Sequence, residues 1–188
     1  MGIGLIIFLI VVAIIALLIF WFIAVQRHLV HQDELCGNAM SQIGVQQSSR
    51  WDALSALADL TKGYAKHEYE TLRDVIAQRK NITADSSATD ANHQEALLGH
   101  AMAAINATIE RYPDLKANES FRTTMDSVNK YENQVRVSRM VFNDTVTKYN
   151  QLIRQVPSNI VAMLLHFNKR DYLQEDSAKT DMPSMKMS

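Results

Sequence analysis

Residues 3–25 read IGLIIFLIVVAIIALLIFWFIAV, a run without a charged or strongly polar side chain. A helix needs about 20 apolar residues to cross the hydrocarbon core of a bilayer, where every backbone group must be hydrogen-bonded. We therefore predict a transmembrane anchor at residues 1–26. A cleavable secretory signal is the alternative, but its apolar core would span about 7 to 15 residues and end at small residues. Phe20, Trp21 and Phe22 stand at that position instead.

The charges that flank this run bear on its orientation. No lysine or arginine precedes it, whereas Arg27 follows it directly after Gln26. Cytoplasmic flanks of membrane helices are enriched in lysine and arginine, so the pattern favours a cytoplasmic location for the rest of the chain. This expectation rests on one arginine, and the opposite orientation remains the alternative.

Composition bounds the class of the remaining chain. About 160 residues follow the anchor, enough for one domain with a single core. The 19 lysines and arginines nearly balance the 20 aspartates and glutamates, which gives a formal net charge of −1. Without a basic excess, the chain is not expected to bind nucleic acid. Cys36 is the one cysteine, so an internal disulfide and a cysteine-based zinc site are excluded, and we expect its side chain to be buried.

The spacing of apolar residues predicts an all-α body. They recur at intervals of three and four, and no segment alternates apolar and polar residues as a strand would. The first helix is expected to continue from the anchor to near Gly63, and a second helix to run from Ala65 to Lys80. Residues 81–92 are small and polar and are predicted to form a loop. A third helix should end before Pro113, because proline disfavours the helical conformation in the preceding residue.

A strict repeat marks the fourth helix, which is predicted to begin near Asn118. Its stripe alternates in steps of four and three. The apolar and aromatic positions of this stripe are Phe121, Met125, Val128, Val135, Phe142, Val146, Tyr149, Ile153 and Val156. Glu132 and Arg139 place charges in the same stripe. Pro157 then ends the helix, and a short apolar segment follows at residues 160–167. We expect residues 27–172 to form the bundle and residues 173–188 to be a disordered tail.

A set of short motifs runs from Lys62 to Tyr172. They are Lys62-Gly63-Tyr64-Ala65, His67-Glu68, Tyr112-Pro113-Asp114-Leu115-Lys116-Ala117-Asn118, Phe121, Glu132-Asn133, Arg139, Asn143-Asp144, Tyr149-Asn150, Pro157-x-Asn159, Phe167 and Tyr172. In this order the motifs resemble the LemA family of bacterial membrane proteins. The resemblance implies an N-terminal membrane anchor and an antiparallel bundle of four helices, and it brings no established enzymatic activity.

The chain also departs from the family's pattern. Ala53-Leu54-Ser55-Ala56 stands where the family usually has leucine, isoleucine, proline and asparagine, and Thr124 replaces an expected leucine. These departures leave open whether the first helix keeps the family's usual kink. The expected fold is all-α: a transmembrane helix and an antiparallel four-helix bundle, with two long helices, two shorter ones and a short apolar segment near the membrane.

Two opposite charges are predicted to meet inside the bundle. Arg50 and Glu132 each lie about 24 residues, or about 36 Å, from the membrane end of their helix. Since an unpaired buried charge costs several kcal/mol, we expect these two residues to form an ion pair. Arg79 and Arg139 are rival or additional partners in this polar seam. Alternatively, these side chains lie at the edges of the stripes and extend to water.

The short apolar segment is predicted to lie at the membrane surface. The side chains expected at headgroup depth are Ile160, Val161, Met163, Leu164, Leu165 and Phe167. Lys169 and Arg170 would then face lipid phosphates. Two alternatives stay open: the segment packs against the lower half of the bundle, or it contacts a neighbouring subunit.

No phosphate-binding loop, nucleophilic serine elbow or paired zinc-ligand motif occurs in the sequence. His28 and His31 have the spacing of metal ligands on a helix, but no third ligand converges with them. We therefore predict no catalytic residue, metal or cofactor. The expected function is that of a non-enzymatic scaffold or interaction protein, single-pass in the bacterial inner membrane, whose partners are membrane lipids and copies of itself. The alternative is a regulatory or adaptor subunit of a membrane enzyme such as a membrane peptidase.

Overall fold

The computed structural model describes residues 2–174, which form six α-helices and no strand. The helices are α1 (Gly2–Thr61), α2 (Lys66–Ile76), α3 (Ala88–Arg111), α4 (Pro113–Ala117), α5 (Glu119–Arg154) and α6 (Ser158–Leu164). The predicted all-α class is confirmed. Residues 175–188, which make up most of the predicted disordered tail, lie outside the described residues.

Helix α1 joins the anchor to the bundle. It has 60 residues, which corresponds to a length of about 90 Å. Its side chains are exposed up to Phe20, and its buried stripe begins at Leu29. The helix continues without a break through residues 53–56, so the departure from the family's pattern there does not interrupt it. Within residues 2–174, this is the helix long and apolar enough to cross a membrane.

Helix α3 begins earlier than the sequence suggested. Ser87 Oγ accepts a hydrogen bond from the Asp90 N–H at 3.0 Å, and Asp90 Oδ2 accepts one from the Ser87 N–H at 3.2 Å. This capping box satisfies two amide groups at the start of the helix. Residues 88–92, predicted to belong to a loop, are therefore helical.

Pro113 follows the end of α3 and begins α4. Helix α3 ends at Arg111, as predicted, and Pro113 then occupies the first turn of the short helix α4, where its missing N–H is not needed. Asn118 caps α5, because its Oδ1 accepts a hydrogen bond from the Phe121 N–H at 3.1 Å. The start predicted near Asn118 thus agrees with the structure, and α5 ends at Arg154.

Three apolar clusters hold the helices together. The upper cluster, at the end farthest from the anchor, consists of Trp51, Ala53, Leu54, Leu57, Ala58, Leu72, Leu97, Leu98, Ala101, Ile105, Leu115, Phe121 and Val128. The middle cluster consists of Cys36, Ala39, Met40, Ile43, Ile82, Ala91, Phe142, Val146, Tyr149 and Leu173. The foot cluster, next to the anchor, consists of Leu29, Val161 and Ala162.

These clusters define the topology. Residue numbers of α1 rise from the foot cluster to the upper cluster, while those of α5 fall from Tyr149 to Phe121 along the same path. Helices α1 and α5 are therefore antiparallel. Leu72 of α2 and Leu98 of α3 lie in the upper cluster, so the two shorter helices complete the bundle at its far end, in agreement with the predicted bundle of two long and two shorter helices.

Two non-helical segments cover the lower half, where α1 and α5 would otherwise stand as a pair. The first is the α2–α3 loop, residues 77–87, which packs directly on α1 at Gly44. A Cβ atom on Gly44 would lie 2.0 Å from the Ile82 carbonyl oxygen, so this approach requires glycine. The second is the strap, residues 167–174, whose Leu173 is 3% exposed in the middle cluster. Leu173, placed in the tail by the sequence, thus packs with the bundle.

Helix α6 returns the chain toward the strap. The Val156–Pro157 bond before it is cis. At its end, the Phe167 N–H bonds to the Ala162 carbonyl at 2.9 Å and the His166 N–H to the Met163 carbonyl at 3.3 Å. His166 has a φ of 58°, as the residue after the C-cap has in a Schellman motif. The motif turns Phe167 back onto the foot cluster.

Candidate functional site

A buried polar layer separates the upper cluster from the middle cluster. At its centre is Arg50, which is 3% exposed. Its Nη2 donates to Glu132 Oε2 at 3.0 Å, and its Nη1 donates to Glu95 Oε1 at 2.7 Å. The structure thus brings Arg50 and Glu132 together. It also adds a carboxylate from α3, so that one guanidinium links three helices.

Gln47 extends this layer one turn toward the anchor. Its Nε2 donates to Glu95 Oε2 at 3.1 Å and to the Ala91 carbonyl at 3.2 Å. Gln47 Oε1 and Arg50 Nε are buried without a hydrogen-bond partner among the described residues. Because unsatisfied buried polar atoms cost free energy, the layer is better suited to fixing the helix register than to raising stability.

The other two arginines of the predicted seam lie elsewhere. Arg79 Nη1 pairs with Asp52 Oδ1 at 2.6 Å, and its Nη2 donates to Ser48 Oγ at 2.6 Å. Arg139 donates to Asn92 Oδ1 at 2.9 Å and to the Gln174 carbonyl. Arg79 thus binds acceptors on the α1 surface, and Arg139 binds Asn92 of α3 and the strap, which corrects their predicted position in one seam with Arg50 and Glu132.

The apolar segment after Pro157 is divided between two environments. Val161 is buried in the foot cluster and Phe167 is half-buried against it. These two side chains pack on the bundle, which corrects their predicted position among lipid headgroups. The opposite side of the segment is exposed, with Met163 at 74%. The exposed apolar side chains are Ile160, Met163, Leu164 and Leu165, which we call the exposed foot.

The foot cluster also fixes the height of α6. Trp21, Phe22 and Val25 of α1, the last residues of the apolar run, pack against this cluster. Aromatic side chains such as these are enriched at the boundary between hydrocarbon and water. Helix α6 therefore lies beside the end of the anchor.

Arg170 does not face outward as predicted. Its Nε donates to Asp33 Oδ1 at 2.7 Å, and its guanidinium lies 6.0 Å from the centre of the Tyr149 ring. The hydrogen bond to Asp33 raises the pKa of Arg170. The neighbouring carboxylate explains the difference from the prediction of a phosphate contact, whereas Lys169 is exposed.

Two asparagines of α5 hold the strap through its main chain. Asn150 Oδ1 accepts from the Arg170 N–H at 3.0 Å, and its Nδ2 donates to the Arg170 carbonyl at 2.9 Å. Asn143 makes the same pair of bonds to Leu173, at 2.9 and 3.1 Å. The Tyr149 hydroxyl donates to the Asn168 carbonyl at 2.9 Å. Burial raises the pKa of Tyr149 to about 12, so this hydroxyl keeps its proton at neutral pH.

Sequence reasoning missed several of these polar residues. Glu95 stands four residues after buried Ala91 and three before Leu98, so its helical spacing could have placed it at the stripe. Asn143 and Asn150 follow Phe142 and Tyr149, two aromatic residues seven apart. That repeat was visible, but nothing local indicated what the amides would bind.

Within residues 2–174, no three His, Cys, Asp or Glu side chains are grouped so that they could hold a metal ion. Cys36 is buried as expected, and burial raises the pKa of its thiol, which disfavours the reactive thiolate.

An apolar N-terminal helix that continues into an antiparallel helical bundle fits a membrane-associated protein. The chain belongs to the LemA family, whose profile matches residues 39–187. It is 27% identical over 150 residues to Protein LemA of Metamycoplasma hominis, a match that covers 78% of this chain and 68% of that protein.

A second group of relatives matches a shorter segment. The chain is 28% identical over 80 residues to the magnetosome protein MamQ 2 of Paramagnetospirillum magneticum and to the magnetosome protein MamQ of Magnetospirillum gryphiswaldense. Each match covers 43% of this chain and 29% of the magnetosome protein. The likeness to these proteins is therefore partial.

Proposed function

We propose that the chain is a non-enzymatic scaffold of the bacterial inner membrane, anchored by a single pass of α1, that assembles with copies of itself. Its body would lie on the cytoplasmic side, as Arg27 after the apolar run favours. Membrane lipids and a second copy of the chain are its proposed partners.

The observation that carries this proposal is an apolar surface that the loop and the strap leave uncovered. It consists of Val137 and Val141, which lie four residues apart on one face of α5, and we call it the flank. Val137 is 55% exposed and lines an open groove between α1 and α5 together with Gln46 of α1. Grouped apolar side chains with polar neighbours are typical of surfaces that bind a partner.

The polar rim of this groove fits a contact between identical copies. Its lining includes Lys130, Asn133, Gln134 and Ser138, which can donate to or accept from the same residues of a second copy. In a two-fold contact, each flank would face the other and both would be covered. The anchor would aid association by holding all copies at the same height above the bilayer.

The experiment is a mass measurement on protein extracted in detergent, by mass photometry. We expect the parent to give one species containing at least two copies. Val137→Lys/Val141→Lys should dissociate it, because four charges would then meet at a two-fold contact. Asn129→Lys adds the same type of charge at an exposed position of α5 in its upper half and should leave the mass unchanged. A monomeric parent, confirmed by crosslinking in intact membranes, would contradict self-assembly.

A second candidate function is that of a regulatory or adaptor subunit of a membrane enzyme such as a peptidase. The exposed foot favours it, because its apolar side chains lie beside the anchor where the helices of another membrane protein could pack. In the same measurement, a co-purifying polypeptide of different mass that is lost on substitution of Met163 and Leu164 by serine would support this role.

A further inference from the structure

The two asparagine contacts to the strap form a regular pair. Each amide group both donates to and accepts from the main chain of one strap residue, Arg170 for Asn150 and Leu173 for Asn143. Asn150 is 4% exposed, so its polar atoms face the strap rather than water. Contacts of this kind bind a peptide backbone whatever its side chains are.

The spacing of the two contacts shows that the strap is extended. The two asparagines are seven positions apart in the helix, which corresponds to a rise of about 10.5 Å. The three-residue step between Arg170 and Leu173 reaches at most about 10 to 11 Å when fully extended. The strap must therefore be nearly straight, and it runs antiparallel to α5. Seven residues of helix and three residues of extended chain have about the same length, so the two contacts stay in register.

Side chains of the strap add a pattern to this backbone contact. Leu173 is buried in the middle cluster, and Arg170 is held by Asp33 and lies over the Tyr149 ring. Between them, Asp171 and Tyr172 are exposed. The groove thus selects a cation and, three residues later, a leucine-sized apolar residue, while the Tyr172 hydroxyl lies 3.4 Å from Thr147 Oγ1.

We propose that the groove that α1 and α5 form at Asp33, Asn143 and Asn150 is a peptide-binding site, which the strap occupies within its own chain. Its ligand in a partner protein is an extended segment with arginine three residues before leucine. Main-chain bonds supply affinity, and the two side chains that face the groove, three residues apart, supply specificity, much as in other sites that bind extended peptides. A covalently tethered strap acts at a millimolar effective concentration, so the site opens to a partner only when the strap leaves.

The test uses the full chain in detergent and the labelled peptide FNKRDYLQ, the sequence of residues 167–174. Arg170→Ala/Leu173→Ala, which we call the released variant, removes the ion pair with Asp33 and the buried leucine of the strap. This variant should bind the peptide at least tenfold more tightly than the parent does. Lys169→Ala/Asp171→Ala changes exposed strap residues instead and should bind no better than the parent. Adding Asn150→Ala to the released variant should weaken binding about tenfold, since two hydrogen bonds are lost.

Two results would overturn the proposal. One is a released variant with the helical content of the parent that binds no peptide, or that binds equally well a peptide with aspartate in place of leucine. The other comes from hydrogen exchange on the parent, which does not depend on any variant folding. The Arg170 and Leu173 amides should exchange at least tenfold faster than the Val146 amide of α5, and equal rates would show that the strap does not detach.

Discussion

At the scale of single residues, Gly44 shows how an absent side chain positions a whole loop. The Ile82 carbonyl approaches α1 so closely that any Cβ atom at position 44 would overlap it. Gly37, two turns nearer the anchor, has its nearest neighbour, Ala84 Cβ, at 3.5 Å from an added Cβ, an ordinary contact. From sequence alone both glycines indicate a weak or bent helix, and only the packing distinguishes them.

Gly44→Ala should therefore destabilise the protein and Gly37→Ala should not. Overpacking costs about 1 to 3 kcal/mol, which outweighs the gain of up to about 1 kcal/mol when alanine replaces a helical glycine. At Gly37 that gain is expected without the cost. Denaturant unfolding in detergent, followed by circular dichroism, measures both free energies. Equal shifts in the two variants would contradict the close approach of the loop.

Arg50 is the residue on which the polar layer depends. Arg50→Met leaves Glu95 and Glu132 without the cation they share, and removal of one partner from a buried ion pair costs about 3 to 5 kcal/mol. We expect the lower end of this range, because Arg136 lies 3.6 Å from Glu132 and both carboxylates are partly exposed. The free energy of unfolding, measured in the same way, gives this value.

A triple variant separates register from stability. Arg50→Met/Glu95→Leu/Glu132→Leu replaces the whole network with apolar groups, a change that is often neutral or stabilising. We expect it to regain the lost stability. The distribution of distances between spin labels at Gln46 and Ser138, which line the same groove on α1 and α5, should however become broader. A single sharp distance, equal to that in the parent, would show that the layer does not set the register.

At the scale of elements, the capping box decides where α3 begins. The Ser87 hydroxyl donates to Asp90 Oδ2 at 2.6 Å, and this bond, with that from the Ser87 backbone, lowers the pKa of Asp90 below its ordinary value of 3.8. A lowered pKa in the folded state means that the ionised carboxylate stabilises folding. Its contribution is complete above pH 3.8 and is lost as the pH falls through the lower, folded-state pKa.

The pH dependence of Asp90→Ala tests this box. The variant should be less stable than the parent near neutral pH, and the difference should shrink as the solution is acidified below the ordinary aspartate pKa. Thr89→Ala, a neutral change in the same turn, should show no such convergence. Thermal unfolding at several pH values is the measurement, and a difference that does not change on acidification would contradict the assignment.

The elements differ in how far their sequence determines them. The stripe of α5 and the apolar run of α1 are long, so their sequence patterns identified both helices. The helix rise, counted from their membrane ends, aligned Arg50 with Glu132. The strap and the α2–α3 loop have no such period. Their positions depend on contacts between residues that are distant in the sequence, such as Asn143 with Leu173, and the local sequence pattern does not indicate such contacts. Glu95, by contrast, was missed although its helical spacing from Ala91 and Leu98 could have placed it at the stripe of α3.

At the scale of the whole molecule, the account rests on one continuous rod. Helix α1 passes from the apolar run into the bundle without a break, α5 descends beside it, and α6 returns the chain to the level of Trp21 and Phe22. The exposed foot would then lie at the boundary between headgroups and acyl chains.

The most direct test is the depth of a spin label at Met163 in reconstituted bilayers. Collision rates with oxygen and with a water-soluble nickel complex measure depth, and a label at Asn129, near the far end of α5, is the reference for full exposure to water. We predict that the Met163 label favours oxygen, as a label at Phe20 should. If the Met163 label is as accessible to nickel as the Asn129 label, the foot does not rest on the membrane and the account is contradicted.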